Sequence, residues 1–193
     1  MNKLQRNDLL SLETYATERA AFRTRVIAHK KTRSAHLGHH LKLVFEDQLT
    51  IQYQIQEMLR IERIFEAQGI KDELDAYNPL IPDGKNLKAT LFVEYPDVEE
   101  RRLALERLVG IEHDIELTVA GHAPVKAIAD EDMDRSTEEK TAAVHFLRFE
   151  LDASMIEDWK AGADITLAST LPAMREHIKL TPELRQALAE DFD

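Results

Sequence analysis

The sequence contains no cysteine. That absence removes disulfides, thiolate zinc sites, cysteine-ligated iron–sulfur clusters and thiol catalysis together, and it fits a reducing cytoplasm. Glycine is scarce, six in 193 residues, and the sequence reading puts each at a turn or helix end. None belongs to G-x-G-x-x-G or to a P-loop, so nucleotide binding of those kinds has no support. There is no G-x-S-x-G nucleophile elbow and no Glu-x-x-His pair on a helix of the ferritin di-iron type. Aromatic residues are 6% of the chain and are not interleaved with basic ones, which counts against a stacking platform for single strands. No apolar run approaches a membrane span, and the first residues lack the apolar core of a signal peptide. The expectation is a cytoplasmic protein with no membrane or nucleic-acid partner and no cofactor.

What is present is charge, unevenly placed. The formal net charge is −11. Residues 1–40 carry eight Lys/Arg against three Asp/Glu, and the rest carry 17 against 33. A basic N-terminal segment (1–40, a helix and a His-rich loop) is therefore expected to lie on the acidic α+β body (41–193) of one domain. The alternative is that it meets an acidic partner or an anion.

The chain is organised around Phe45 to Phe65. At helical spacing Ile51, Ile55, Met58, Leu59, Ile61 and Phe65 share one side, with Glu62 at the centre of that arc and Gln54 inside it. A buried carboxylate must be paired, neutralised or functional. The first helix, opened by Asp8 or Ser11 and ending near Lys31, sets Arg19 and Arg23 within its own apolar stripe. A pairing across a helix–helix contact is expected, because a guanidinium holds a carboxylate with two hydrogen bonds. Glu57, Gln54 and Tyr53 stand near enough in sequence to join it.

His36, His39 and His40 follow the first helix. Their spacing resembles a metal site, but Gly38 interrupts it and no regular element is expected to fix the rings, so no metal is assigned there. Leu41–Phe45 reads as a strand, and the central helix stops near Gly69. Leu87–Tyr95 alternates as a strand with one face in the core. Asp97 caps a third helix, with Glu100 placed as in a capping box and Gly110 at its end. Ile111–Val119 reads as a strand, with His113 on its apolar side as a satisfied core or edge histidine. Gly121-His122 turns the chain into Val125–Ala129.

Asp130, Asp132 and Asp134 imitate a calcium loop, but Arg135 and Thr141 stand where glycine and glutamate are needed. Thr141–Leu151 is a strand apolar on both faces, from which His145 and Arg148 project to opposite sides. Ser154 and Glu157 frame a short helix ended by Gly162. Ile165–Ala168 and His177–Leu180 are strands, and Thr181-Pro182 opens a last helix. The fold class is α+β, a single domain with a mainly antiparallel sheet of about six or seven strands. A long N-terminal helix and a central helix pack on it.

Arg19-x-x-Phe22-Arg23, Phe45-Glu46, Gln54-Ile55-Gln56-Glu57-Met58-Leu59-Arg60-x-Glu62, Tyr77-Asn78-x-Leu80-Ile81-Pro82, Ala89-Thr90-Leu91 and Ala143-Val144-His145-Phe146-Leu147-Arg148-Phe149 carry a resemblance. In these pieces, spread over nearly the whole chain, it resembles a bacterial domain-of-unknown-function family, DUF3501. It departs at Asp47-Gln48, where the family pattern has Asn-Arg, and His36, His39 and His40 lie outside the pattern. The resemblance implies no activity. Members look like neighbours of rubrerythrin-like and iron–sulfur proteins, which implies an accessory role in oxidative-stress or electron-transfer metabolism.

Two functions compete. One is a cytoplasmic accessory or interaction protein with a structural Arg–Glu network, acting on a protein partner or as a homodimer. The other is a small-anion-binding protein or enzyme in which Arg19, Arg23, Glu57, Glu62, His145 and Arg148 converge on a cleft.

Overall fold

The computed structural model describes residues 2–129 and 140–192. The Asp130–Asp134 motif therefore lies outside the described residues. Ser11 opens α1 (Leu12–Thr32) by accepting a hydrogen bond from the Thr14 amide, and His29, Lys30 and Lys31 occupy its last turn, where the helix dipole favours cations. The histidine-rich stretch that follows is not irregular. It forms β1 (Ser34–Leu37), which turns through Gly38 into β2 (Leu41–Phe45), with Leu37 opposite Leu41. Residue 40 thus falls in a hairpin turn.

Asp47 and Thr50 cap α2 (Gln48–Glu62) reciprocally, each side chain accepting the other's amide at 2.9 Å. The helix ends earlier than its apolar spacing suggests. Arg63 takes left-handed geometry, φ 57°, and a separate helix, α3 (Ala67–Tyr77), begins. Gly69 therefore sits inside a helix, where a Cβ would come within 2.7 Å of Ile64. The premature end of α2 changes its buried face. Ile51, Ile55 and Leu59 are buried as expected, but Ile61, Glu62 and Phe65 are exposed. Besides the capping Thr50, the polar residue buried on this helix is Gln56, whose Oε1 accepts from the Leu10 amide at 2.6 Å. Leu4, Leu9, Ile70, Leu74 and Ile81 complete a small apolar core around α2 and α3.

The remaining elements are β3 (Asn86–Val93), α4 (Val98–Arg107), β4 (Ile115–Val119), β5 (Val125–Lys126), β6 (Ile128–Ala129), β7 (Val144–Glu150), α5 (Ala153–Ala161), β8 (Ile165–Ser169), β9 (Glu176–Lys179) and α6 (Pro182–Ala189). Asp97 caps α4, accepting from the Glu99 and Glu100 amides. Asp152, rather than Ser154, caps α5, and Gly162 ends it at φ 103°. Residues Ile111–His113 form a 3-10 turn instead of the start of a strand, which leaves His113 on the surface.

The fold is α+β, and its strands divide into two antiparallel sheets. One runs β1-β2-β3-β7-β6 and the other β5-β4-β8-β9. The division happens within Val125–Ala129. Val125 pairs with Leu117 in one sheet, and Ala129 with Leu147 in the other. Between them the Ala127 amide bonds the Ile115 carbonyl at 2.8 Å. Leu41, Leu43, Phe45, Leu87, Leu91, Leu147 and Phe149 of the larger sheet share one buried cluster with Ile115, Leu117, Ile165 and Leu167 of the smaller. Trp159 and Leu188 join that cluster from α5 and α6.

Gly38 sits where the β1–β2 turn meets β9. Its φ is 68°, and a Cβ there would fall 2.5 Å from Glu176 Cδ. Gly38→Ala is expected to lose roughly 1–3 kcal/mol from the left-handed backbone. A lower melting temperature in a thermal scan, by on the order of 2–12 °C, checks it.

Candidate functional site

The pairing of α1 with α2 centres on Glu57, not Glu62. Arg19 Nε donates to Glu57 Oε1 at 2.7 Å and Arg19 Nη2 to Oε2 at 2.8 Å, a two-pronged contact. The buried Tyr15 hydroxyl donates to Oε1 at 2.7 Å, and Arg60, one turn along α2, adds two longer contacts at 3.4 and 3.2 Å. The Arg19 guanidinium first, then the Tyr15 hydroxyl and Arg60, hold the Glu57 carboxyl down at about 2 against its partial burial. The Tyr15 hydroxyl is pushed up, by burial first and then by bonding to that carboxylate. Arg23 and Glu62 do not take part. Both are exposed, and Glu62 adds only a minor push to the raised pKa of Glu73, whose main cause is its own burial.

A second, drier cluster lies at the other end of α1 and escaped the sequence reading. Arg33, 2% exposed, stands between α1 and β1. Its Nε donates to the Phe45 carbonyl at 3.1 Å, its Nη1 to the Ala187 carbonyl at 2.9 Å, and its Nη2 to the Glu46 carbonyl at 3.3 Å and to Asp191 Oδ2. Asp47 Oδ2 lies 3.5 Å from Arg33 Nε and also accepts from His29 Nε2. The Glu46 carboxylate turns away to accept from Thr90 Oγ1 at 2.6 Å. Arg33 sat in a basic run that the helix dipole already explained. Asp191 lies 158 residues away, so no local spacing could join them. The one available signal was a polar pair, Glu46-Asp47, directly after the apolar run Leu41–Phe45.

His145 and Arg148 project from opposite faces of β7. His145 is fully buried on the core side. Its Nε2 donates to the Ala142 carbonyl at 3.0 Å and lies 2.9 Å from Thr141 Oγ1, which donates to the buried Glu112 Oε2 at 3.1 Å. Arg148, on the outer face, pairs with Glu150. His36 is exposed on β1, and His40 stacks on Tyr95 with ring centroids 3.9 Å apart. Among the described residues no group of three or more His, Asp or Glu side chains is placed to hold a metal.

The six candidates therefore occupy separate places. Arg19 and Glu57 meet; Arg23 and Glu62 face solvent; His145 lies in the core and Arg148 on the outer face of the larger sheet. A groove of about 540 Å³ runs between the Gly84–Lys85 turn and α5, lined by Leu151, Ile156 and Lys160 among others. None of the six borders it. No helix among the described residues is long and apolar enough to cross a membrane.

Two antiparallel sheets, joined through one shared strand run and carrying a helical hairpin on internal ion pairs, define the class: an α+β protein of mixed architecture. Residues 3–192 match the DUF3501 family, described as proteins of unknown function, and the chain belongs to that family. It is similar to a solved structure, a novel protein of unknown function from Burkholderia pseudomallei K96243. The two are 53% identical over 100% of each chain, with a TM-score of 0.95. No curated protein matches the chain.

Removing Arg33 leaves Asp191 and Asp47 buried without their cation. Arg33→Met is expected to cost roughly 3–5 kcal/mol, a fall in melting temperature on the order of 6–20 °C. Arg23→Met, on the exposed face, should stay within about 0.5 kcal/mol of the parent. Glu57 gives a separate test. Its folded pKa lies below its ordinary value of 4.5, so its stabilising contribution is present above that value and lost as pH falls through about 2. Denaturant melts of Glu57→Gln from pH 5 to pH 2 should show a shallower acid loss of stability than the parent.

Proposed function

We propose that this protein is a cytoplasmic accessory protein that works through a protein–protein contact, centred on the C-terminal end of α2. The observation that carries this reading is the contrast between its charged and apolar groups. Arg19, Glu57, His145 and Arg148 each have an internal partner, as do Arg33 and Asp191. The most exposed large apolar side chain among the described residues, Phe65 at 71%, stands in water close in sequence to Ile61 at 61%, while Val98 and Leu103 on α4 are also more than half exposed. Arg60, Glu62, Arg63 and Glu66 adjoin Ile61 and Phe65 in sequence. Apolar side chains flanked by charge suit a contact surface with a dry centre and a polar rim. The accessory role in oxidative-stress or electron-transfer metabolism, implied by the family resemblance, belongs to this reading.

The anion-binding alternative needs a cleft in which Arg19 and Arg23 present free positive charge. Arg19 instead holds Glu57 with both prongs, so an incoming anion would compete with an internal carboxylate.

A photo-crosslinking residue placed at Phe65 should give one discrete adduct in cells of origin. The adduct should be absent from the same probe at exposed Leu103 and weakened by Ile61→Asp. An adduct of twice the chain mass identifies a homodimer, and any other discrete mass a second protein. No adduct above the Leu103 control, together with a rise in melting temperature with phosphate or citrate that Arg19→Met abolishes, favours the anion-binding protein instead.

A further inference from the structure

We propose that the turn following α6 is a proton-controlled latch, docked most firmly in acid and loosened as the pH rises to neutrality. Two side chains dock it. Asp191, fully buried, meets Arg33, and Phe192 sets its ring edge-on to Trp159, with centroids 5.3 Å apart at 73°. The Ala187 carbonyl, one turn earlier, takes a second Arg33 hydrogen bond. The turn is closed by short-range backbone bonds, the Glu190 and Asp191 amides to Leu188 and the Phe192 amide to Ala189, the last two at 3.1 and 3.3 Å. It is therefore a weakly self-supported segment held by what it touches.

The site around Asp191 carries more negative charge than its cations balance. From α1 and the residue after it come His29 and Arg33. The start of α2 contributes Asp47, with Glu46 giving only its carbonyl, and α6 contributes Glu190. α5 presents the uncharged Trp159 through Phe192. Arg33 is shared between Asp47 and Asp191. Asp191 Oδ1 is buried with no hydrogen-bond donor among the described residues. An ionised carboxylate with one oxygen dry and unbonded is poorly accommodated, whereas a protonated one removes both the desolvation and the repulsion. Burial accordingly lifts the Asp191 carboxyl to about 6, and Asp47 and Glu190 add to the lift against the pull of Arg33.

The sign follows from linkage. The docked turn binds the Asp191 proton more tightly than a released turn does, so docking is strongest below the ordinary aspartate pKa and weakens as pH rises through about 6. Between pH 5 and pH 7.5 the docking equilibrium should fall about tenfold.

Hydrogen exchange of the Asp191 and Phe192 amides, corrected for the intrinsic dependence on pH, reads that equilibrium directly. Protection is expected to drop about tenfold from pH 5 to pH 7.5 in the parent protein and to stay level in Asp191→Asn. Trp159, the single tryptophan, should report the same transition by fluorescence. Parent protection that is constant over this range overturns the latch, whether or not the variant folds. So does an Asp191→Asn profile that follows the parent's.

Discussion

A guanidinium out of water holds this structure together. Arg33 meets four separate parts of the chain: the end of β2, the first residues before α2, the last turn of α6 and the turn after it. Three of these contacts are ordinary hydrogen bonds to carbonyl oxygens, and the fourth is an ion pair with Asp191. Burial makes the set matter, because any donor left over would remain in a dry site. A planar group with donors in fixed directions can serve four acceptors from one position, which a lysine ammonium could not do with the same geometry. The relation of the helical hairpin to the sheets therefore passes through a polar joint as well as an apolar seam.

The contrast with Glu57 shows how position decides what an ion pair does. Both clusters combine arginine with carboxylate. At Glu57 the partners lie on adjacent helices at the edge of solvent, with Arg19 a third exposed, so the pair sets helix register and is screened by water. At Arg33 the pair is dry, and an imbalance of charge cannot be relieved by solvent. Two carboxylates then contend for one cation, and protonation becomes the route to relief.

Much of the fold was legible in the sequence, for local reasons. Ser11, Asp97 and Thr181 announce helix starts because a side-chain oxygen caps the next turn. The alternation in β3 gives its core face directly, whereas β7 reads as apolar on both faces and its buried side, His145, Leu147 and Phe149, is set by its neighbours. The split into two sheets was not legible, because Val125–Ala129 reads as one strand and only its partners divide it. Nor was the exposure of Glu62. Helical spacing continues across Arg63 in the sequence, while the backbone breaks there, and periodicity alone does not register a left-handed residue. Of the site candidates, Arg19 was found because its apolar neighbours made it anomalous. Arg33 was missed because its neighbours are basic and its partner is distant.

The span between Arg33 and Asp191 bears on how the protein is made. A chain growing from its N-terminus can form α1, α2 and the first hairpin early, since their contacts are close in sequence. The charge at Arg33 must then wait for a carboxylate that emerges 158 residues later. Until then the cation has reason to stay in water, holding the seam between hairpin and sheets ajar. A turn made 158 residues later would close what the first third had left open, so that a late-made segment commits the fold.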